Sequence, residues 1–98
     1  MILAELEALL RQRRAAAEGG PGVPEGSYSV TLVTDPVRVQ RKIMEEAFEL
    51  CLELGRPSPD PRRTAEEAAD LVFHILAGLV GAGVGLDAVL SELEDRRR

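Results

Sequence analysis

Apolar side chains recur at intervals of three and four residues in several stretches of this chain, which is the pattern of amphipathic helices. Leu3, Leu6 and Leu10 recur in this way near the beginning of the chain, with charged residues between them. The glycine- and proline-rich segment 19–22 then interrupts the pattern. We therefore predict a first helix over residues 2–17.

Two aspartates, each followed by proline, mark the beginnings of the next two helices. Asp35 and Asp60 can each act as an N-cap acid, and a proline is well tolerated in the first helical turn. The second helix is predicted over residues 36–54, where Gly55 ends it. The third helix is predicted over residues 61 to about 80, after a rigid proline-rich connector.

The remaining segments are predicted to be shorter. Residues 18–34 form an irregular link, and alternating residues 27–33 are expected to be extended and packed on the helices, because no second strand is available to pair with them. The glycine-rich segment 81–85 breaks the third helix. A short final amphipathic helix follows from Leu86, and the arginines at 96–98 suit the negative end of its dipole.

These elements predict an all-α fold, a four-helix bundle forming a single domain over residues 1–98. Aromatic residues make up only 3% of the chain, and Leu, Val and Ala dominate, which favours helix packing. The second helix carries a broad apolar face that is expected to bury Cys51 together with Met44 and Phe48. The third is apolar almost all round, so we expect it to be central and covered in part by another subunit, in a homodimer or a dimer of dimers.

Charge and cysteine content exclude several classes of protein. The net charge of −5 argues against binding to nucleic acid. The apolar stretch 68–86 contains Asp70, His74 and four glycines, which argues against a membrane span. The single cysteine forms no internal disulfide, and the first residues run directly into charged ones, so we expect a cytoplasmic protein without a secretory signal.

Acidic side chains follow one face of each of the two central helices. Residues three and four apart share a face of a helix. This places Lys42, Glu46, Glu49 and Glu53 in one stripe, with Glu45 beside it, and Glu67, Asp70 and His74 in another. If the two helices pack antiparallel, several carboxylates converge, and their mutual repulsion favours a hard cation, Mg²⁺ in particular where a phosphate supplies further ligands. A solvated face is the alternative for any single acid.

The spacing of these acids resembles that of a known superfamily. E-E-x-x-E at residues 45–49 followed by E-x-x-D at residues 67–70 resembles the pattern of the all-α, MazG-like nucleotide pyrophosphohydrolases. Within that superfamily the details are similar to the phosphoribosyl-ATP pyrophosphohydrolase family. The closer match rests on residues 27–29, 42–49, 67–74 and the leucines and arginine of 90–96.

The resemblance implies Mg²⁺-dependent hydrolysis of phosphoribosyl-ATP to phosphoribosyl-AMP and pyrophosphate, the second step of histidine biosynthesis, with Mn²⁺ as an alternative metal. It implies metal ligands at Glu46, Glu49, Glu67 and Asp70, and catalytic acids at Glu45, Glu46 and Glu49, without deciding which is the general base. Lys42, Ser27, Tyr28 and Arg41 are the candidates for substrate binding. His74 is expected to support an acid or the backbone by a hydrogen bond rather than bind the metal.

Two other functions stay open on sequence alone. A house-cleaning pyrophosphohydrolase acting on (deoxy)nucleoside triphosphates would use the same acids and differ in the groups that read the base and the sugar. A non-catalytic helical assembly module would keep the apolar stripes but would not need the acids in register.

Overall fold

The structure, a computed structural model, describes residues 1–19 and 27–97, and these residues form five α-helices and no strand. The segment 20–26, part of the predicted link, lies outside the described residues. The helices are α1 (Ile2–Ala17), α2 (Tyr28–Thr34), α3 (Pro36–Leu54), α4 (Pro61–Ala82) and α5 (Leu86–Arg96). The predicted all-α class is thus confirmed, with one more helix than expected.

The predicted beginnings of the two long helices are confirmed, because both aspartates act as N-caps. The Asp35 carboxylate accepts a hydrogen bond from the backbone N–H of Arg38 at 3.1 Å, and that of Asp60 accepts one from Arg62 at 3.0 Å. Each acid satisfies a backbone donor that has no partner within its helix. Gly55 follows the last residue of α3, as predicted.

The prediction that residues 27–33 are extended is wrong, because this segment forms the helix α2. Ser27 is its N-cap, and the Ser27 hydroxyl accepts a hydrogen bond from the N–H of Val30 at 3.4 Å. Leu32 and Val33 are adjacent and both buried. Adjacent residues of a strand point to opposite faces, whereas on a helix they lie about 100° apart and can both face one core.

The end of α4 lies two residues beyond the predicted position. Gly83 has a positive φ of 75°, and the N–H of Val84 donates to the carbonyl of Leu79 at 2.9 Å, which is the usual glycine-based helix end. Gly81 continues the helix and packs against α2, because a Cβ at this position would lie only 2.9 Å from the carbonyl oxygen of Val33. The first glycine of the predicted break is therefore needed for close packing.

The α3–α4 pair is antiparallel and lies at the centre of the fold. Near one end of the pair Arg63 contacts Glu53, and towards the other Gly78 packs against Val39 and Ile43. α4 also packs against α1 and α2, so its predicted central position is confirmed. The buried apolar core comprises Leu10, Leu32, Val33, Val39, Leu76, Ala77, Val80 and Leu86.

One apolar flank of α3 is exposed in the single chain. The predicted burial of Cys51 is therefore wrong for the single chain. Met44 and Phe48, predicted on the same flank, are 71% and 63% exposed. The core side of α3 carries Val39 and the acids Glu46 and Glu53 instead. Apolar residues thus occupy both sides of this helix, and the core of one chain covers only one side.

The corner between α4 and α5 is held by a side chain from α1. The Glu7 carboxylate accepts a hydrogen bond from the backbone N–H of Leu86 at 2.6 Å and pairs with Arg11 at 3.2 Å.

Among the residues described, no single helix is long and apolar enough to cross a membrane. The helices α4 and α5 meet that test only when taken together, and the chain bends by 116° between them.

Candidate metal centre

Three glutamates from the central helix pair bring their carboxylates together. Glu46 and Glu49 are three residues apart on α3 and share a face, and Glu67 approaches them from α4. One carboxylate oxygen from each residue lies within 4.8 Å of the other two. The predicted convergence of the two acidic stripes is therefore present in the folded chain.

Two of these carboxylates are buried without a full set of partners. Glu46 is 8% exposed and Glu67 is 9% exposed, and the Oε2 atom of each is buried with no hydrogen-bond partner. A buried acceptor without a hydrogen-bond partner lowers the free energy of unfolding, and a charged group lowers it more. A cation bound between the carboxylates would remove this cost, and an all-oxygen donor set suits a hard metal ion. The residues present therefore fit a metal site.

The electrostatics of Glu67 agree with this interpretation. Removal from water raises the pKa of the Glu67 carboxyl above its ordinary value, and the neighbouring Glu49 raises it further. The Arg63 guanidinium acts in the opposite direction on this pKa, and Asp70 adds a smaller upward contribution. Without a cation the group of carboxylates thus favours keeping a proton on Glu67.

Asp70, the fourth predicted metal ligand, lies outside the group of three. It follows Glu67 by three residues on α4, and its side chain is exposed. Its charge nevertheless acts on the pKa of Glu67, so it belongs to the same electrostatic neighbourhood. Its role as a ligand stays a prediction.

The positively charged side chain of Lys42 lies beside Glu46, one of the three converging glutamates. Its ammonium nitrogen lies 3.1 Å from Glu45 Oε2 and 3.6 Å from Glu46 Oε1. The hydrogen bond with Glu45 is the main cause that raises the pKa of Lys42, which therefore stays protonated at neutral pH. Arg41, Lys42 and Glu45 border one cleft of about 300 Å³ on the surface of α3. This cleft collects two predicted substrate-binding residues and one predicted catalytic acid.

Tyr28 and His74 form a hydrogen-bonded pair between α2 and α4. Tyr28 Oη lies 2.7 Å from His74 Nε2, and His74 Nδ1 lies 2.6 Å from the backbone oxygen of Asp70. His74 thus has a backbone partner one turn from Glu67, in the region expected from the sequence. Ser27, the other predicted substrate-binding residue of this segment, is engaged as the N-cap of α2.

Sequence reasoning missed an ionic network around Glu53, where α3 ends and α4 begins. Glu53 was assigned only to the acidic stripe, yet it is buried and lies outside the group of three. Its carboxylate pairs with Arg56 at 3.4 Å and Arg63 at 3.6 Å, and accepts a hydrogen bond from the N–H of Asp60 at 3.2 Å. Arg63 also pairs with Glu67 at 3.5 Å. The sequence offered a signal for this second contact of Arg63, because oppositely charged residues four apart meet on a helix.

Comparison with known proteins gives matches along almost the whole chain. The family model described as phosphoribosyl-ATP pyrophosphohydrolase matches residues 3–97. A phosphoribosyl-ATP pyrophosphatase of Methylobacterium nodulans is 36% identical over 95 residues, covering 96% of this chain and 81% of the relative. One of Leptospira biflexa is 37% identical over 96 residues, covering 97% of this chain and 96% of the relative. A histidine biosynthesis trifunctional protein of Neurospora crassa is 40% identical over 92 residues, which are 94% of this chain and 9% of that protein.

Proposed function

This chain belongs to the phosphoribosyl-ATP pyrophosphohydrolase family, and from that membership we propose that it hydrolyses phosphoribosyl-ATP to phosphoribosyl-AMP and pyrophosphate in histidine biosynthesis. The observation that carries the proposal is a family match over residues 3–97 that includes the three converging glutamates. In this reaction water adds across the anhydride bond between the α- and β-phosphates, and its proton passes to a base.

The proposal includes a magnesium ion held by Glu46, Glu49, Glu67 and Asp70, with Mn²⁺ as an alternative. Its support is the pair of buried carboxylate oxygens without partners, on Glu46 and Glu67. When bound, the metal supplies positive charge that neutralises the triphosphate and stabilises the departing pyrophosphate. Glu46 and Glu67 would be its buried ligands, and the exposed Glu49 and Asp70 would be the other two.

The remaining acids and the neighbouring lysine have complementary tasks in this proposal. A general base must come within hydrogen-bond reach of the attacking water. Glu49 is exposed, and so is Glu45, although Lys42 engages the Glu45 carboxylate. Glu45, Glu46 and Glu49 are the candidates for orienting or deprotonating that water. The ammonium group of Lys42, protonated and beside the cleft, is placed to contact phosphate oxygens.

Substrate selection is assigned to the segment before α3, together with Lys42 and Arg41. Phosphoribosyl-ATP differs from ATP by a second, phosphorylated ribose on the adenine ring, so selection requires groups away from the metal. Tyr28 is partly exposed at the start of α2, so its ring is accessible to a bound substrate. Ser27 begins the same helix.

We further propose that the protein is a cytoplasmic homodimer or dimer of dimers. The support for assembly is the exposed apolar side of α3 with Met44 and Phe48, and the half-exposed Val72 and Ile75 on α4. Surfaces of this kind usually contact another chain. The support for a cytoplasmic location is Cys51, an exposed thiol in a chain with no second cysteine.

Pyrophosphate release from phosphoribosyl-ATP, ATP and dCTP in the presence of Mg²⁺ tests the proposed function. We expect strong preference for phosphoribosyl-ATP, with phosphoribosyl-AMP as the second product by mass spectrometry and no turnover in EDTA. Glu67→Gln should abolish turnover, whereas Glu66→Gln, a change of the exposed neighbour, should not. Equal or faster turnover of dCTP by the unmodified protein would refute the assignment in favour of a house-cleaning enzyme.

A further inference from the structure

One guanidinium group joins two buried glutamates in the central helix pair. Arg63 Nε lies 3.6 Å from Glu53 Oε2, and Arg63 Nη2 lies 3.5 Å from Glu67 Oε1. Glu53 belongs to the last turn of α3 and Arg63 to the first turn of α4. Glu67 lies one turn after Arg63 and is one of the three converging glutamates. Arg63 therefore connects these glutamates with the corner between the two helices.

Each oxygen of Glu67 has a different environment. Oε1 faces Arg63, whereas Oε2 is buried and has no partner. A carboxylate that rotated freely about its last torsion angle would exchange these two oxygens. The ion pair with Arg63 favours one orientation, in which Oε1 is engaged and Oε2 remains available as a ligand.

Glu53 in turn fixes Arg63. Its Oε1 accepts the hydrogen bond from the N–H of Asp60, the N-cap of α4, and its Oε2 pairs with Arg63. The Glu53 carboxylate is buried and bound at both oxygens, so its position is set by the backbone at the helix corner. The Arg63 side chain is 61% exposed, and its pairing with the fixed Glu53 carboxylate limits the conformations that it would otherwise adopt in water.

We propose that Arg63, anchored by Glu53, is a positioning residue of the metal site that orients the Glu67 carboxylate so that Oε2 is ready to bind the cation. The two-nitrogen geometry of the guanidinium can contact one carboxylate on each side, which a lysine ammonium cannot reproduce. Residues that orient metal ligands in this way typically change metal affinity by about 10- to 100-fold when they are replaced. This inference rests on the proposed metal site but concerns residues outside its ligand set.

The test compares two neighbouring arginines. Arg62 and Arg63 each pair with the glutamate four residues later, at 3.3 Å and 3.5 Å, but the partner of Arg62 is the exposed Glu66. Arg62→Gln is therefore a matched control for Arg63→Gln. Mn²⁺ affinity is measured from the loss of the free-ion electron paramagnetic resonance signal on titration, together with the melting temperature without metal and with kcat and KM.

We expect Arg63→Gln to weaken Mn²⁺ binding by about tenfold and Arg62→Gln to leave it unchanged. Arg63→Lys, which keeps the charge, should also weaken binding, because the charge alone does not orient Glu67. Glu53→Gln should have an effect in the same direction, and the double variant with Arg63→Gln should be no weaker than the worse single variant. Such non-additivity is expected when two residues act through one contact.

Three outcomes would overturn the positioning role. Unchanged Mn²⁺ affinity in Arg63→Gln with a lower melting temperature would make the contact purely structural. Tighter binding would show that the guanidinium acts only as a repelling charge, and a raised KM with unchanged Mn²⁺ affinity would assign Arg63 to the substrate. Absence of Mn²⁺ binding by the unmodified protein is a different pattern, which refutes the metal site itself and this role with it.

Discussion

Tyr28 Oη lies 2.7 Å from His74 Nε2, a contact that joins α2 to α4. The other ring nitrogen, Nδ1, lies 2.6 Å from the backbone oxygen of Asp70. A carbonyl oxygen only accepts hydrogen bonds, so Nδ1 must carry a proton, and in the neutral ring Nε2 accepts from the Tyr28 hydroxyl. Because His74 is buried, Tyr28 takes the place that water would occupy at an exposed histidine.

The first prediction is that Tyr28→Phe destabilises the protein. The change leaves Nε2 of His74 buried without a donor, which costs about 1–3 kcal/mol. For a domain of this size each kcal/mol lowers the melting temperature by about 4–8 °C. Thr34→Val is the control, because it removes an exposed hydroxyl from the same short helix. Equal melting temperatures for Tyr28→Phe and the unmodified protein would contradict the importance of this contact.

The sequence predicted the long helices well and the short one badly, for a physical reason. Asp35 and Asp60 cap α3 and α4 through their own side chains, so local signals suffice to define where these helices begin. The seven residues of α2 include four β-branched side chains and alternate in polarity. A helix this short is not stable alone. The burial of Leu32 and Val33 against neighbouring helices stabilises it, and a local pattern cannot report that burial.

The site shows the same division between local and tertiary information. Helical spacing predicted that Glu46 and Glu49 share a face, and antiparallel packing of the two helices was expected to bring Glu67 opposite them. These three carboxylates do converge. Glu53 was predicted to lie on the same stripe, without a role of its own. Its partners, Arg63 and the N–H of Asp60, come from across the helix corner, so its different environment becomes visible only in the folded chain.

The second prediction concerns stabilisation by metal. Mg²⁺ or Mn²⁺ should raise the melting temperature, because a ligand that binds only the folded state stabilises it by about 2.7 kcal/mol at 100 times its dissociation constant. Glu46→Gln and Asp70→Asn should each remove most of this increment without changing the helix content by circular dichroism. Glu66→Gln, at an exposed position, should retain it. An unaltered increment in both variants would mean that the acids are only a solvated face.

The third prediction is the pH dependence of the metal-free protein. The pKa of Glu67 in the folded state is raised above its ordinary value of 4.5, chiefly by removal from water and then by Glu49. The folded state therefore holds this proton to higher pH than the unfolded state does, and stability falls as the pH rises from 4.5 through the raised pKa.

Glu67→Gln removes this titration, so the variant should become progressively more stable than the unmodified protein across that pH range. Urea unfolding at several pH values in EDTA measures the difference, and the titrations common to both proteins cancel. Saturating Mg²⁺ should reverse the order, because only the unmodified protein keeps the ligand. A constant difference between the two proteins at all pH values in EDTA would contradict the raised pKa.

The fourth prediction concerns assembly. The unmodified protein should sediment as a dimer or larger at micromolar concentration, because Met44 and Phe48 expose an apolar surface on α3. Phe48→Glu should shift sedimentation to the monomer, since an interface that buries an unpaired charge is strongly disfavoured. Leu93→Glu on α5 is the control, an exposed leucine away from that surface. A monomeric unmodified protein would mean that this side of α3 is simply solvated.

The last prediction separates substrate selection from metal binding at Tyr28. The carboxylates treat any metal-bound triphosphate alike, so preference for phosphoribosyl-ATP must come from groups that reach the second ribose and its phosphate. The ring of Tyr28 is partly exposed at the start of α2, where a substrate can reach it. Tyr28→Ala removes the ring as well as the hydroxyl, whereas Tyr28→Phe removes only the hydroxyl.

We therefore expect Tyr28→Ala to lower kcat/KM for phosphoribosyl-ATP relative to ATP by about tenfold or more, which corresponds to about 1.4 kcal/mol of lost discrimination. The affinity for Mn²⁺ should change much less. Tyr28→Phe, compared at a temperature where both variants are folded, should keep more of the preference if the ring makes the contact. A residue that touches the distinguishing part of the substrate cannot be removed without changing this ratio of kcat/KM values. An unchanged ratio in Tyr28→Ala would therefore exclude this side chain from substrate selection and leave Ser27, Lys42 and Arg41 as the remaining candidates.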